Sequence, residues 1–192
     1  MSQDATPEGC EYVLSFSGPT HQPATNTFRN CCCEAVNKRF AGMTVLFASG
    51  GGSAEDGLAL YEFLRSLPIP LRMHAVGLVG SIAIPVFLAG DVRTAAPTAR
   101  FLFHGFTWTY GAPQTLSVDM MAEHAAALGT AVDRAKTIVQ DRTQESQTSG
   151  EIDDLFTKPR IVGAAYAAER RLIQKVEEFR VPANAVLLNA NW

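Results

Sequence analysis

The chain has 192 residues, of which 47% are hydrophobic and 18% charged, with a formal net charge of −3. That length suits one domain, and that composition buries a full core, which excludes a disordered chain. The mildly acidic balance gives no footprint for nucleic acid or an anionic membrane surface.

The opening stretch MSQDATPEG carries neither a basic region nor an apolar run, so no secretory leader is expected and a cytoplasmic protein is the simplest reading. Residues 1–10 are expected to be flexible. Glu11–Ser17 (EYVLSFS) reads as a strand closed by Gly18-Pro19, and Thr25–Phe40 as a helix. That helix carries Cys31, Cys32 and Cys33, three of the four cysteines with Cys10. Three adjacent thiols match no C-x-x-C spacing and read as reduced, small packing groups. Met43–Ala48 (MTVLFA) is an apolar run of the kind buried on both faces of a parallel sheet.

Ser49-Gly50-Gly51-Gly52 is a loop, and Ser53 with Asp56 three residues on opens a helix that stops before Pro68. Leu71–Val76 is the next strand, Ser81–Ala89 the next helix, and Arg100–Phe103 (RFLF) a strand ending at His104. Strands alternating with helices on short connections predict an α/β fold with a largely parallel sheet. The longest apolar stretch, Ala75–Gly90, is too short and too broken to span a bilayer. From Ser117 to Gln144 a long helix is predicted. Val118, Met121, Ala125, Leu128, Val132, Ala135 and Val139 form a seam at alternating spacings of three and four. Such a stripe packs either on its own domain or on a partner subunit, and the partner is the favoured expectation.

A histidine base has four candidates: His21 in a loop, His74 mid-strand, His124 on the long helix off its seam, and His104 at a strand's carboxyl end. The last position is where active groups of open α/β sheets gather. Ser81, in GLVGSIAIP, stands between strand and helix, beside backbone N–H groups able to hold an oxyanion. A plain N-capping serine fits the same place. The triple glycine is neither a phosphate loop nor G-x-G-x-x-G, but it bares N–H groups at a strand's mouth.

In order and spacing, LFASGGGSAEDGLALYEFLRSL, MHAVGLVGSIAIPVFLAGD and PTARFLFHG, followed by a long helix, resemble the ClpP family of Clp protease proteolytic subunits. The resemblance spans about Glu11 to Val176. It implies a ClpP/crotonase-like spiral core with a protruding handle helix at about 117–145, within a single domain 11–180 and a tail 181–192. Ser49–Gly52 stands where the family has Ser-Pro-Gly-Gly, with Gly50 replacing the proline. Ser81 falls on the nucleophile, His104 on the base, and Gly52 and Ile82 on the residues whose amides form the oxyanion hole. The resemblance further implies stacked rings of subunits joined through the handle, unfolded polypeptides or peptides as substrates, an ATPase ring that feeds them, and no metal or cofactor.

Three departures matter. His104 is followed by Gly105-Phe106, with Trp108 and Tyr110 close behind, where the family has Gln-Pro, so a more aromatic substrate surface is expected. The triad acid is ambiguous: an ungapped reading sets Pro159 in its place, and a gapped one sets Asp153 there. The family's axial loops, which help dock the ATPase, look shortened. An inactive ring subunit and a crotonase-type acyl-CoA enzyme are the rival readings. The apolar tail AVLLNANW is expected to tuck against a neighbour.

Overall fold

The computed structural model describes residues 10–109, 115–144 and 146–190. The expected flexible start, Tyr110 and the last two tail residues therefore lie outside the described residues, apart from Cys10. In chain order the elements are β1 (Tyr12–Ser17), α1 (Gln22–Asn37), β2 (Met43–Ser49), α2 (Ala54–Arg65), β3 (Leu71–Gly80), α3 (Ala83–Leu88) and β4 (Val92–Ala95). There follow β5 (Arg100–Phe103), α4 (Val118–Arg142), α5 (Ser149–Thr157), β6 (Arg160–Gly163), α6 (Ala164–Glu169), β7 (Lys175–Val176) and β8 (Val186–Asn189).

The strands form one sheet in the order β6-β5-β3-β2-β1-β8, with β4 and β7 branching from β3. Every pairing is parallel except β5 with β6. The apolar runs fit this: most residues of β1 and β2 are buried. Phe16, Phe28, Phe47, Phe87 and Phe101 form a continuous chain of ring contacts through that core.

β3 is longer than the sequence indicates. Its first half, Arg72–Ala75, pairs with β4, whereas Leu78–Gly80 pairs with β5. Between them the register against β2 slips, from Phe47↔Ala75 to Ser49↔Val79. This irregularity at 76–78, which contains Gly77, re-aims the strand and hands it a new neighbour. It carries Gly80 and Ser81 to the edge of β5, toward His104.

The long helix divides in two. Ala131, Ala135, Ile138 and Val139 are buried in the core, while Val118 is 76% and Met121 50% exposed. The expected seam thus packs on its own domain in its second half and stands clear of it in the first. Within the tail, β8 pairs in parallel with β1 of the same chain as an edge strand. Of the adjacent thiols only Cys32 is buried; Cys33 is exposed and Cys31 half-buried. No described helix is long and apolar enough to cross a membrane.

His74 sits within β3, fully enclosed, its Nδ1 2.7 Å from Thr94 Oγ1 and its ring 5.5 Å from that of Phe179. Burial first, then the Arg72 charge, push its imidazole below the ordinary 6.5, with Glu177 acting the other way. An unfolded chain therefore takes up this proton at a pH where the folded one refuses it, and stability falls as pH drops below about 6.5. The unfolding midpoint is expected to decline between about pH 7 and pH 5, and His74→Asn to flatten that decline. Parallel pH dependences for the two proteins would contradict this.

Candidate active site

The loop after β2 is built from main chain. Thr20 N–H donates to Gly51 O at 2.8 Å, Ser53 N–H donates to Thr20 O at 2.7 Å, and Gly51 N–H donates to Ser49 Oγ at 3.2 Å. Gly51 has φ +100°, and a Cβ there would lie 2.7 Å from Ser81 Cβ and 2.9 Å from Gly80 O. Glycine is thus required twice, for its left-handed backbone and for contact with the next strand's end. Gly51→Ala is expected to lower activity by about 10²-fold, with a smaller loss of stability, because the new methyl displaces Ser81. Peptide hydrolysis and melting temperature measured together check this, and unchanged activity would contradict it.

Ser81 is the pivot between β3 and α3. Its φ is +55°, in the left-handed region that side chains with a Cβ avoid, at a cost of about 1–3 kcal/mol. Its N–H donates to Leu102 O at 2.8 Å, fixing the turn to β5. The helix expected from Ser81 begins instead at Ala83, capped by Ile82 with no side-chain capping bond. Ser81 is therefore not an N-cap, and its hydroxyl is not consumed in holding a helix. Ile82 is buried and presses onto Gly57 of α2, where no side chain has room. Among the described residues neither the Gly52 nor the Ile82 N–H donates to a main-chain carbonyl.

His104 follows β5 directly. Its Nδ1 lies 2.6 Å from Gly105 O, which only accepts, so Nδ1–H is the donor there and in the neutral tautomer Nε2 is the acceptor nitrogen. Ser81, His104, Gly50 and Gly52 line one cavity of about 820 Å³, roofed by Phe106 and Trp108. Among the described residues no hydrogen bond joins the hydroxyl to the imidazole. Their meeting in one cavity follows from topology: β3 and β5 are paired neighbours, and both side chains emerge at the carboxyl ends.

Asp153 is not brought to this cavity. It pairs with Lys136 at 2.8 Å in a separate groove between α4 and α5, and Pro159 lines a third depression with Arg160 and Tyr166. Of the other histidines, His21 caps α1, accepting from Ala24 N–H, and His124 stacks face to face on Trp108 at 4.1 Å. That stack, the contribution of Ala127, Leu128 and Ala131 from α4, and Glu55 at the mouth were not read from the sequence. Leu128 had a signal, its place in the seam, but that seam pointed to a partner rather than to a substrate cavity. Among the described residues no cluster of His, Cys, Asp or Glu could hold a metal ion.

The family model described as Clp protease matches residues 21–180. The chain belongs to the Clp protease family. Among curated relatives, the translocation-enhancing protein TepA of Halalkalibacterium halodurans is 30% identical over 98 residues, 49% of this chain and 38% of that protein. ATP-dependent Clp protease proteolytic subunit 1 of Streptomyces avermitilis is 27% identical over 143 residues, 71% of this chain and 63% of that protein. The chain thus spans less than two thirds of the length of these relatives. A ClpP1 mutant from Listeria monocytogenes superposes with a TM-score of 0.75 at 16% identity, over 88% of this chain and 92% of that one. That likeness carries the fold: a ClpP-like α/β core with a long helix standing off it.

Proposed function

We propose that this Clp protease family member is a serine peptidase subunit whose nucleophile is Ser81 and whose general base is His104. The carrying observation is the convergence of a strained, uncapping serine, a histidine whose Nδ1 meets a main-chain carbonyl, and a glycine-rich amide loop on one cavity. His104 Nε2 takes the hydroxyl proton as Ser81 Oγ attacks a peptide carbonyl. The Gly52 and Ile82 amides receive the oxyanion, since neither is spent on a main-chain partner. The imidazolium then protonates the leaving amine, and water releases the acyl group by the same steps.

Phe106, Trp108 and Leu128 suit short or unfolded peptides with apolar side chains. The bare first half of α4, with Val118, Met120 and Met121 exposed, supports assembly of like subunits into a ring chamber around the sites. A cytoplasmic setting and delivery of substrate by an ATPase belong to the same reading. The test is labelling of the assembled protein with a fluorophosphonate, followed by mass spectrometry. Modification confined to Ser81 is expected, and a folded, assembled sample that takes up no label would overturn the proposal.

A further inference from the structure

Resting on that reading, we infer that the base of this enzyme is oriented by a main-chain carbonyl, that of Gly105, in place of a carboxylate from the described residues. A serine protease base needs its Nδ1 proton held so that Nε2 faces the serine, and an acid ordinarily does this. Here the Gly105 carbonyl lies 2.6 Å from Nδ1, and a carbonyl only accepts, so it imposes the same tautomer. Among the described residues, the carboxylates of α5 and of the cavity lining are engaged elsewhere. Asp153 is bound to Lys136, Asp154 to Lys158, and Glu151 to Arg170 and its own helix cap. Glu55, the one acidic residue lining the cavity among the described residues, stands at its rim 3.7 Å from Arg134, on the α2 side.

The carbonyl is aimed by packing. A Cβ on Gly105 would lie 2.9 Å from Phe156 O, so α5 presses directly on this peptide. The Phe156 ring meets Phe103 and Phe106 edge-on at 6.5 and 6.0 Å, clamping the chain on both sides of His104 and Gly105. Gly105 and Phe156 are thus positioning residues. The helix that would present an acid presents instead an aromatic clamp. The carbonyl supplies orientation without charge, so it selects the tautomer but stabilises the imidazolium less than a carboxylate does.

The experiment combines a carboxylate scan with direct observation of the ring. Asp153→Asn, Asp154→Asn and Glu151→Gln are expected to keep fluorophosphonate labelling rates within about threefold of the parent, against the about 10⁴-fold loss in kcat that removal of a true triad acid causes. Gly105→Ala is expected to slow labelling at least about tenfold. Phe156→Leu, which keeps an apolar plug, serves as the second variant if Gly105→Ala does not fold, and the same slowing is expected. Nitrogen-15 NMR of the His104 ring at neutral pH should show the proton on Nδ1 in the parent and a shift toward Nε2 in Gly105→Ala. A proton on Nε2 in the parent, or loss of more than tenfold in any carboxylate variant, would overturn the inference. Labelling of Ser81 in the parent tests the peptidase reading on its own, so the two failures are distinguishable.

Discussion

Replacing Ser81 with alanine is expected to lower hydrolysis of a fluorogenic apolar peptide by about 10³-fold while leaving the melting temperature nearly unchanged. In serine proteases with a complete triad, loss of the serine costs about 10⁶ in kcat, and about 10⁴ of that depends on the acid. An enzyme whose base is held by a neutral carbonyl starts part-way down this scale. The serine's share therefore lies between about 10² and 10⁶, nearer the lower end because imidazolium stabilisation is weak. Among the described residues the removed oxygen caps no helix, so little stability goes with it. Steady-state kinetics on the assembled protein decide the matter. A variant that retains more than about a tenth of parental activity would place the chemistry at another residue.

Arg93→Met is expected to destabilise the fold by about 3–5 kcal/mol, a fall of roughly 10 °C in melting temperature. Arg93 is only 5% exposed, yet its guanidinium faces carbonyls rather than a carboxylate. Nε donates to Leu172 O and Nη1 to Gly90 O, each at 2.9 Å, and Nη2 donates to Arg142 O at 2.9 Å and Arg171 O at 3.3 Å. Arg142 adds its own bonds to Leu88 O and Gly90 O, and Arg65 holds Ala89 O and Asp91. Burial, then the charges of Arg142 and Arg65, push Arg93 down to about 10, which still leaves it charged at neutral pH. Methionine fills the volume but orphans three carbonyls, those of Leu172, Arg142 and Arg171, since Arg142 still holds Gly90 O; each is worth about 1–3 kcal/mol when left dry, less what relaxation recovers. These carbonyls belong to the end of α4 and the turn after α6. The substitution therefore also loosens the seating of the long helix. Urea unfolding checks the figure, and a loss below about 1 kcal/mol would mean that the carbonyls find other partners.

Most of the sheet was legible because its strands are short apolar runs separated by glycine, proline and capping residues. Arg100–Phe103 was read to the residue, and Ser53 caps α2 by accepting from Asp56 N–H. What escaped has a common cause. The extension of β3 past Gly77, the turn at Ser81 and the pairing of β8 with β1 all depend on partners far away in sequence. A seam residue such as Leu128 looks the same in sequence whether it meets a neighbour subunit or a cavity. The placement of Ser81 and His104 was legible through the order of motifs, since adjacent parallel strands must present their carboxyl ends side by side. The surroundings of Asp153 were not, because Lys136 lies on another helix 17 positions earlier (153 − 136) and the α4–α5 packing alone brings them together.

The backbone at residue 81 also bears on the rival view of this chain as a catalytically silent building block. Glycine enters a φ of +55° freely, whereas serine resists it. A polypeptide kept solely for its architecture would gain robustness by dropping the hydroxymethyl group there. Residue 81 carries a hydroxymethyl group at that cost and, among the described residues, caps no helix with it, which favours the proposed nucleophile over a purely architectural part.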